Sequence, residues 1–329
     1  MKPFAHRLAL FCSLAFAVAP ARADELTIGF WNVENLFDEF KDEGHRDAEV
    51  LKKQEVFLKL SHRAQVIKDL NADILGLAEV ENRDILRRLC DEHLKEQGYR
   101  YIVLLDEKDP RGIDVAMISK RPFLAQTFDV PGFYRGILAC RFTVAGEPFY
   151  VLVNHWKSRR ETADNPSAPA RLACSEKVQE LTEKILPEIE GKPVGTMVIG
   201  DLNDDDDDVS VARLEKAGFK NTFRGTPKEK RWSLPFDDRK NNRVVYNGFD
   251  HILVGAPLLA GKPLAWVEGS SEVFRPPYML RKRKIGDKDY DWPDDDYVRR
   301  GGEQHIGYAD HFPVRARFRH GKQGAPGRN

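Results

Sequence analysis

The sequence predicts an α/β fold in which two β-sheets pack face to face and helices cover them. Segments with strand periodicity alternate with segments of helix periodicity, and several neighbouring strand segments could pair as antiparallel hairpins. Neither an internal repeat nor a Gly/Ser-rich linker divides the 329 residues. One domain over residues 24–320 is therefore expected, because a chain of this length can bury one large core. Residues 321–329 are expected to form a flexible tail.

Hydrophobic periodicity places the elements in order. Leu26, Ile28 and Phe30 lie on alternate positions, as in a strand, whereas apolar residues recur every three or four positions in the first helix. The last strand alternates apolar residues with arginines, which predicts one buried face. Strands are predicted over 26–31, 74–80, 101–105, 113–118, 137–144, 149–153, 196–199, 249–254 and 312–318, and helices over 57–67, 85–90, 172–186 and 209–217.

The first 23 residues have the features of a secretory signal peptide. Lys2 and Arg7 precede an apolar run over 8–19, and Ala21-Arg22-Ala23 supplies the small residues expected before a cleavage site. The apolar run is too short to span a bilayer. We therefore expect an exported protein, periplasmic or secreted, without a stable membrane anchor and monomeric.

The overall charge gives no attraction for a polyanion. The chain has 52 basic and 52 acidic residues, and loss of the leader would remove three basic ones. Affinity for nucleic acid would therefore depend on local basic patches and on bound metal.

Two long stretches fit no regular element, and loops of this length are usually functional or disordered. Residues 156–170 carry Lys157, Arg159 and Arg160, and residues 275–308 contain a basic run over 281–284. These two basic groups are candidates to contact a phosphate backbone. The acidic run over 204–208 could be a calcium loop, but its place before a helix favours a helix N-terminus.

Three cysteines follow the leader, and export would permit a disulfide between two of them. Cys140 with Cys174 is the first pair to test, with Cys90 left over. The alternative is that all three are buried thiols that pack as small apolar groups.

Polar residues with catalytic potential stand at the ends of predicted strands. Strand ends along one rim can bring them into a single cleft. The group contains only oxygen and imidazole donors, which favours Mg²⁺ or Mn²⁺, with Ca²⁺ as a further candidate, over zinc. These residues are Asn32, Glu34, Glu79, His155, Asp201, Asn203, Asp250, Asp310 and His311.

This set also matches the needs of phosphodiester hydrolysis. A metal can neutralise phosphate oxygens, a carboxylate can activate water, and a histidine paired with a carboxylate can stabilise the charge of the transition state. Taken singly, an Asp or Asn at a strand end is more often a turn former or helix cap. The ordered occurrence of six such motifs favours an active site over that explanation.

The motifs resemble the ordered set of the endonuclease/exonuclease/phosphatase superfamily, in its deoxyribonuclease-like branch. The resemblance runs from about residue 26 to residue 318 and implies a four-layered α/β sandwich with the active site at one edge. The motifs are Trp-Asn-Val-Glu-Asn-Leu-Phe, Leu-Ala-Glu-Val-Glu-Asn, Arg-Gly-Ile-Asp-Val-Ala, Asn-His-Trp-Lys-Ser-Arg, Ile-Gly-Asp-Leu-Asn-Asp, Phe-Asp-His-Ile-Leu and Ala-Asp-His-Phe-Pro-Val.

The resemblance also implies a role for each matching residue. Asn32, Glu79 and Asp310 would hold the metal. Asp201 and Asn203 would hold the attacking water and the phosphate, with Asp201 activating the water. Asp250 would pair with His311, which would stabilise charge, while His155 would be the general acid.

Four further residues are assigned to substrate binding. Arg111 is expected to contact phosphate and Asp114 to orient His155, and Asn154 and Lys157 flank that histidine. The family's last motif usually begins with Ser, where this chain has Ala309, so one supporting hydrogen bond is expected to be absent.

Three functions are compatible with these motifs. The first is a nuclease that acts on DNA or RNA. The second is a phospholipid or inositol-phosphate hydrolase, which would expose the aromatic residues near 274–297 beside the site. The third is a non-catalytic binding protein, which would have lost the metal and histidine positions that this chain keeps.

Overall fold

The computed structural model describes residues 25–41, 50–105, 108–159, 167–298 and 304–320. The predicted leader (1–23), the predicted tail (321–329) and Arg160 lie outside the described residues. Within the described ranges, no helix has the length and apolar character needed to cross a membrane.

The described strands and helices follow the predicted order, with additional short elements. The strands are β1 (Glu25–Leu36), β2 (Ile74–Val80), β3 (Tyr101–Leu105), β4 (Asp114–Ser119), β5 (Leu124–Phe128), β6 (Ile137–Val144), β7 (Glu147–His155), β8 (Gly195–Asp201), β9 (Lys220–Asn221), β10 (Leu234–Asp238), β11 (Arg243–Asn247), β12 (Asp250–Val254), β13 (Leu264–Trp266), β14 (Glu272–Val273), β15 (Leu280–Ile285), β16 (Lys288–Pro293), β17 (Tyr297–Val298), β18 (Gln304–His305) and β19 (Val314–His320). The helices are α1 (Lys53–Leu70), α2 (Arg83–Arg88), α3 (Ser167–Glu180), α4 (Leu186–Glu190), α5 (Val209–Lys216), α6 (Lys228–Arg231) and α7 (Ala256–Leu259).

Two mixed sheets form the centre of the fold, as predicted. The first sheet has the order β13-β19-β1-β2-β4-β3, with β14 also paired to β19, and the second has the order β5-β6-β7-β8-β12-β9. Each sheet contains one parallel pair, β1 with β2 and β7 with β8, and its other pairs are antiparallel. Asn32, Glu79, His155 and Asp201 lie towards the ends of the four strands of these parallel pairs, at one rim.

The sheets meet closely at Gly76 of β2. A Cβ at this position would lie 2.7 Å from Ile199 Cδ1 and 3.1 Å from Val153 Cγ1 of the second sheet. Along β8 the side chains alternate, since Ile199 belongs to the core between the sheets and Val198 packs with the helix-side core that includes Val178 of α3. Helices therefore flank the sheets, which confirms the predicted sandwich.

The cysteines are free and buried, so the predicted Cys140–Cys174 disulfide is wrong. Cys140 lies in the core between the sheets, whereas Cys174 of α3 lies in the helix-side core. The two thiols are on opposite sides of the second sheet. Burial raises the pKa of the Cys90 thiol to about 12 and also raises the pKa values of the other two thiols. The alternative of three packed thiols is confirmed.

The stretch over 275–308 is more regular than predicted. It contains the hairpin β15–β16, in which Lys282 pairs with Asp291 and Lys284 with Asp289 across the strands. Opposite charges at directly facing positions stabilise a hairpin that lacks apolar alternation. Hydrophobic periodicity alone could not reveal such a strand.

Candidate active site

A buried histidine-carboxylate pair lies at the centre of the rim. His311 Nδ1 is 2.7 Å from Asp250 Oδ2, and its Nε2 is 3.7 Å from Asp201 Oδ2. Trp31 Nε1 donates to the His311 carbonyl oxygen at 2.9 Å, which fixes the loop before β19. Burial alone would lower the pKa of His311, but Asp250, Asp201 and Asp310 together raise it well above its ordinary value. The imidazole is therefore cationic near neutral pH.

Asp201 stands at the end of β8 with both oxygens held. Asn32 Nδ2 donates to Oδ2 at 3.2 Å, and the Asn203 backbone N–H donates to Oδ1 at 3.0 Å. Burial and the charge of Asp250 together raise the pKa of Asp201 to about 7, against the lowering effect of His311. Such a carboxylate is poised to accept a proton near neutral pH.

Left-handed backbone conformations shape the turns that carry these residues. Glu34, Asn35, Glu79 and Asn203 all have positive φ, with φ of 64° at Glu79. The register of β1 with β2 shifts beyond Asn32, and bulges of this kind redirect side chains beside active sites. Non-glycine residues in this region carry strain that the surrounding structure must offset.

Two buried cations of α1 hold the strained turn at the end of β1. Lys59 Nζ donates to the carbonyl oxygens of Glu34 and Asn35 at 3.1 and 2.7 Å, and Arg63 donates to those of Val33 and Glu34. Lys59 also pairs with Asp296 at 2.7 Å. Sequence reasoning missed these residues because their helical spacing resembles that of solvent-exposed charges.

Carboxylates accumulate on the side of the rim built by the first sheet. Burial, Glu79, Asp295 and Asp250 raise the pKa of Asp310 to about 6, against the lowering effect of His311. Burial and the charges of Asp310 and Asp296 raise the pKa of Glu34 well above its ordinary value. We define two groups at the rim. The acid side comprises Glu34, Glu79 and Asp310, and the relay side comprises Asp201, Asp250 and His311.

His155 lies between the two groups but in a different charge state from His311. Its Nε2 is 3.8 Å from Glu79 Oε1 and 3.7 Å from Asp201 Oδ2. Burial, Arg135 and Arg111 lower the pKa of His155 well below its ordinary value. A neutral imidazole does not suit the predicted role of general acid, and His311 is the protonated histidine of the site.

Two of the predicted substrate contacts, Asn154 and Asp114, are buried in the structure. Asn154 is fully buried, because side chains alternate along β7 and its own points away from that of His155. Its amide donates to Leu152 O at 2.9 Å and accepts from Trp156 Nε1 at 3.1 Å. Asp114 is buried at the start of β4, and His155 Nδ1 has no hydrogen-bond partner among the described residues. Asp114 therefore does not orient the ring through that nitrogen.

The other two predicted contacts, Arg111 and Lys157, are partly exposed at the cleft. Arg111 reaches Glu79 Oε2 at 3.5 Å and donates to Asn35 Oδ1. Lys157 Nζ lies 5.8 Å from the centre of the Tyr134 ring. Sequence reasoning missed Arg135, which is buried, donates to Asp109 Oδ2 at 2.6 Å and reaches Trp156 O at 3.3 Å.

Most of the basic side chains predicted to contact a phosphate backbone form ion pairs within the chain. Arg281 pairs with Asp295, Lys282 with Asp291 and Arg283 with Asp237. Arg159 pairs with Asp204 and Asp208. These cations hold loops together and are less available to a phosphate backbone than the sequence suggested.

Comparison with known proteins places the chain in a family. The model of the endonuclease/exonuclease/phosphatase family matches residues 27–320, which is nearly the whole described chain. The chain belongs to this family of hydrolases. Membership of this family explains both the motifs and the two-sheet architecture.

The similar proteins that have names differ in what those names say they act on. A 5'-tyrosyl-DNA phosphodiesterase from Caenorhabditis elegans is 24% identical over 252 residues, covering 71% of this chain and 59% of that protein. The structure of TDP2 from D. rerio with a single-strand DNA product has a TM-score of 0.52 at 17% identity, over 89% of this chain and 98% of that one. A mannosyl-6-phosphatase from Bacteroides thetaiotaomicron has a TM-score of 0.54 at 16% identity, over 89% and 99%.

The donor set at the rim fits a divalent cation. Ligand atoms of Asp201, Asp250 and His311 lie within 4.8 Å of one another, so the relay side is one candidate metal site. The 2.7 Å contact with Asp250 engages Nδ1 of His311, and the raised pKa of the ring keeps a proton on Nε2 as well, so the cationic imidazole has no free nitrogen lone pair for a metal. The acid side, with Glu79 and Asp310, has the excess negative charge that a metal would offset.

Proposed function

We propose that this chain is an exported, metal-dependent phosphodiesterase that hydrolyses nucleic acid by in-line attack of water. The observation that carries the proposal is the buried Asp250–His311 pair directed at Asp201. In this arrangement Asp201 can accept a proton near neutral pH while its neighbour His311 carries a positive charge. Hydrolysis of a phosphodiester needs both, since water must lose a proton and the phosphate gains charge.

The residues of the site divide this work between them. Asp201 orients the water and takes its proton. Asn203, whose backbone N–H and side-chain amide fix the turn beside Asp201, keeps that carboxylate in place. His311 stabilises the charge that develops on the phosphate, and Asp250 keeps its ring oriented and protonated. His155, which is neutral, can donate one hydrogen bond to a phosphate oxygen.

Asn32, Glu79 and Asp310 would hold the metal. They supply an amide oxygen and two carboxylates, which suits Mg²⁺ or Mn²⁺ with several water ligands and also admits Ca²⁺. A bound divalent cation would neutralise phosphate oxygens and the leaving oxygen. Asn32 also donates to Asp201, so it would link the metal to the water-activating carboxylate.

Nucleic acid is the proposed substrate because two lines of support agree. The names of the C. elegans and D. rerio proteins associate this fold with DNA. In this chain, Arg111 and Lys157 border the cleft and are partly exposed, as contacts to a phosphate backbone require.

A phosphomonoester is the second candidate, since the B. thetaiotaomicron protein is a mannosyl-6-phosphatase. The lipid version of this alternative has less support. Among the aromatic residues near 274–297, Trp292 is buried beneath Arg283, and Phe274 and Tyr278 pack against the core. Tyr297 is exposed. A membrane-active loop would present several such side chains.

The proposal is tested by incubating the purified chain with plasmid, single-stranded DNA, RNA, phospholipid vesicles and mannose 6-phosphate, each with and without EDTA. We expect cleavage of nucleic acid that requires the metal and is lost in His311→Ala. Release of phosphate from the sugar without cleavage of any nucleic acid would instead support the second candidate. Activity that persists in EDTA or in His311→Ala would overturn the mechanism.

Export is tested separately. When the full chain is expressed in a bacterium, the protein recovered from the periplasm or the medium should begin at Asp24, as determined by mass spectrometry. Recovery from the cytoplasm with residues 1–23 intact would contradict the proposal.

A further inference from the structure

We propose that Arg111, Tyr134 and Lys157 form a strip that binds the nucleotide next to the scissile phosphate, with its base stacked on Tyr134. This inference rests on the proposed nuclease function and specifies how its substrate is held. All three side chains are partly exposed, and they come from three separate segments of the chain, two of which supply the Arg111 and Arg135 charges that act on His155.

Arg135 and Asp109 bring the three segments together. The Asp109 carboxylate accepts from the Arg111 backbone N–H at 2.8 Å and from Arg135 Nε at 2.6 Å. Arg135 also donates to Trp156 O at 3.3 Å, one residue before Lys157. Arg135 and Asp109 are both buried, so the strip rests on a rigid ion pair and needs little ordering when a ligand binds.

Tyr134 is the centre of the strip. Its ring lies 4.7 Å from that of Phe133 and 5.3 Å from the Arg135 guanidinium, and the Lys157 ammonium lies 5.8 Å away on the same ring. Burial raises the pKa of Tyr134, although Arg135 and Arg111 act in the opposite sense. No hydrogen bond from its hydroxyl is found within the part of the chain that the structure describes. The Tyr134 ring is therefore held by its neighbours. The aromatic ring, and not the hydroxyl, is the part of Tyr134 that would contact a base.

The charges beside Tyr134 select for a phosphate-linked aromatic ligand. Lys157 has no ion pair among the described residues, in contrast to Arg159, Arg281 and Lys282, which are paired. An aromatic face next to an available ammonium is the arrangement by which proteins bind single-stranded nucleic acid. A sugar phosphate has the charge but no aromatic ring to stack.

The test compares substrates with and without bases. Steady-state kinetics are measured on a single-stranded deoxyoligonucleotide and on the same oligonucleotide with abasic residues flanking the cleavage position. Stacking of a base on an aromatic side chain is worth about 1–3 kcal/mol, so Tyr134→Ala should raise KM for the intact oligonucleotide by roughly 5- to 150-fold. Its kcat, and its KM for the abasic substrate, should stay at the wild-type values.

Three further variants define the role of the strip. Tyr134→Phe should behave as the wild type, because it keeps the ring, while Tyr134→Leu keeps bulk without an aromatic face and should match Tyr134→Ala. Lys157→Ala should weaken binding of the oligonucleotide. The slope of log affinity against log salt concentration should fall by about one, because one phosphate contact is lost. Tyr101→Ala removes an exposed tyrosine at the opposite end of the first sheet and should change nothing.

The outcomes separate this inference from the proposed function. A wild-type chain that cleaves no nucleic acid would refute the function itself. A chain that cleaves the oligonucleotide, but in which Tyr134→Ala and Tyr134→Leu keep the wild-type KM or raise KM equally for both substrates, would refute only the stacking role.

Discussion

The acid side and the relay side of the cleft differ in how their charges are balanced. On the relay side a cationic His311 lies between the carboxylates of Asp250 and Asp201, so opposite charges alternate within a few ångströms. On the acid side burial and neighbouring carboxylates raise two pKa values, since Asp310 acts on Glu34 and Glu79 acts on Asp310. Lys59 and Arg63 offset part of that charge, but they are committed to backbone carbonyls.

This difference indicates a division of function. A group of charges that is balanced internally can move a proton without any added ion. A group with excess negative charge in a partly buried place needs an external cation. We therefore assign proton transfer to the relay side and metal binding to the acid side.

Removal of the metal should have the largest effect. A metal ion supplies several kcal/mol of charge stabilisation in phosphoryl chemistry, so EDTA should lower the rate of nucleic acid cleavage by roughly a thousandfold or more. Addition of Mg²⁺ or Mn²⁺ in excess should restore it. Full activity after exhaustive chelation would show that the relay side acts alone.

Asp250→Asn should have the next largest effect. The amide cannot stabilise a cationic His311, so kcat should fall by roughly 10²- to 10⁴-fold, the range of acid-base contributions. Raising the Mg²⁺ concentration should not recover the loss. Asp237→Asn is the matched control, because that carboxylate pairs with Arg283 on the hairpin. Equal kinetics in the two variants would show that the Asp250–His311 pair takes no part in catalysis.

Glu79→Gln should act mainly on metal affinity. The Mg²⁺ concentration that gives half-maximal activity should rise by roughly 10- to 100-fold, the effect typical of changes at or around metal ligands. Unlike that of Asp250→Asn, the defect should diminish at high Mg²⁺. A loss of kcat that no metal concentration relieves would mean that Glu79 belongs to the relay side.

The pH dependence should show the smallest effect. Asp201 must be deprotonated to accept a proton, and its pKa is raised to about 7. Below that pH, kcat/KM should therefore fall by about tenfold per pH unit. His311 must be protonated, and its raised pKa should give a second decline at alkaline pH. A profile that is flat from pH 5 to pH 7 would contradict the assignment of Asp201 as the base.

The sequence predicted the two-sheet sandwich because its strands are long and apolar. The runs over 74–80 and 137–144 coincide with β2 and β6. It missed the hairpin β15–β16, where charge pairs such as Lys282 with Asp291 replace apolar alternation. It also missed the exposed edge strand β5, which has little apolar pattern to detect.

At the rim, the sequence indicated which residues meet but not how they are charged. The ordered motifs brought His155 and His311 into one prediction, yet their pKa values move in opposite directions. Burial and then Arg135 lower the pKa of His155, whereas Asp250 and its neighbouring carboxylates raise that of His311 against the effect of burial. Arg135 belongs to no motif and reaches the site only through the tertiary fold. The role of a titratable group is therefore decided by neighbours distant in sequence.

The division between the two sides is tested most directly by Mn²⁺ binding in the absence of substrate, followed by electron paramagnetic resonance. We expect Asp250→Asn to bind Mn²⁺ as the wild type does, while Glu79→Gln binds it roughly 10- to 100-fold more weakly. Loss of Mn²⁺ binding in Asp250→Asn with normal binding in Glu79→Gln would place the metal among Asp201, Asp250 and His311 and contradict metal binding on the acid side.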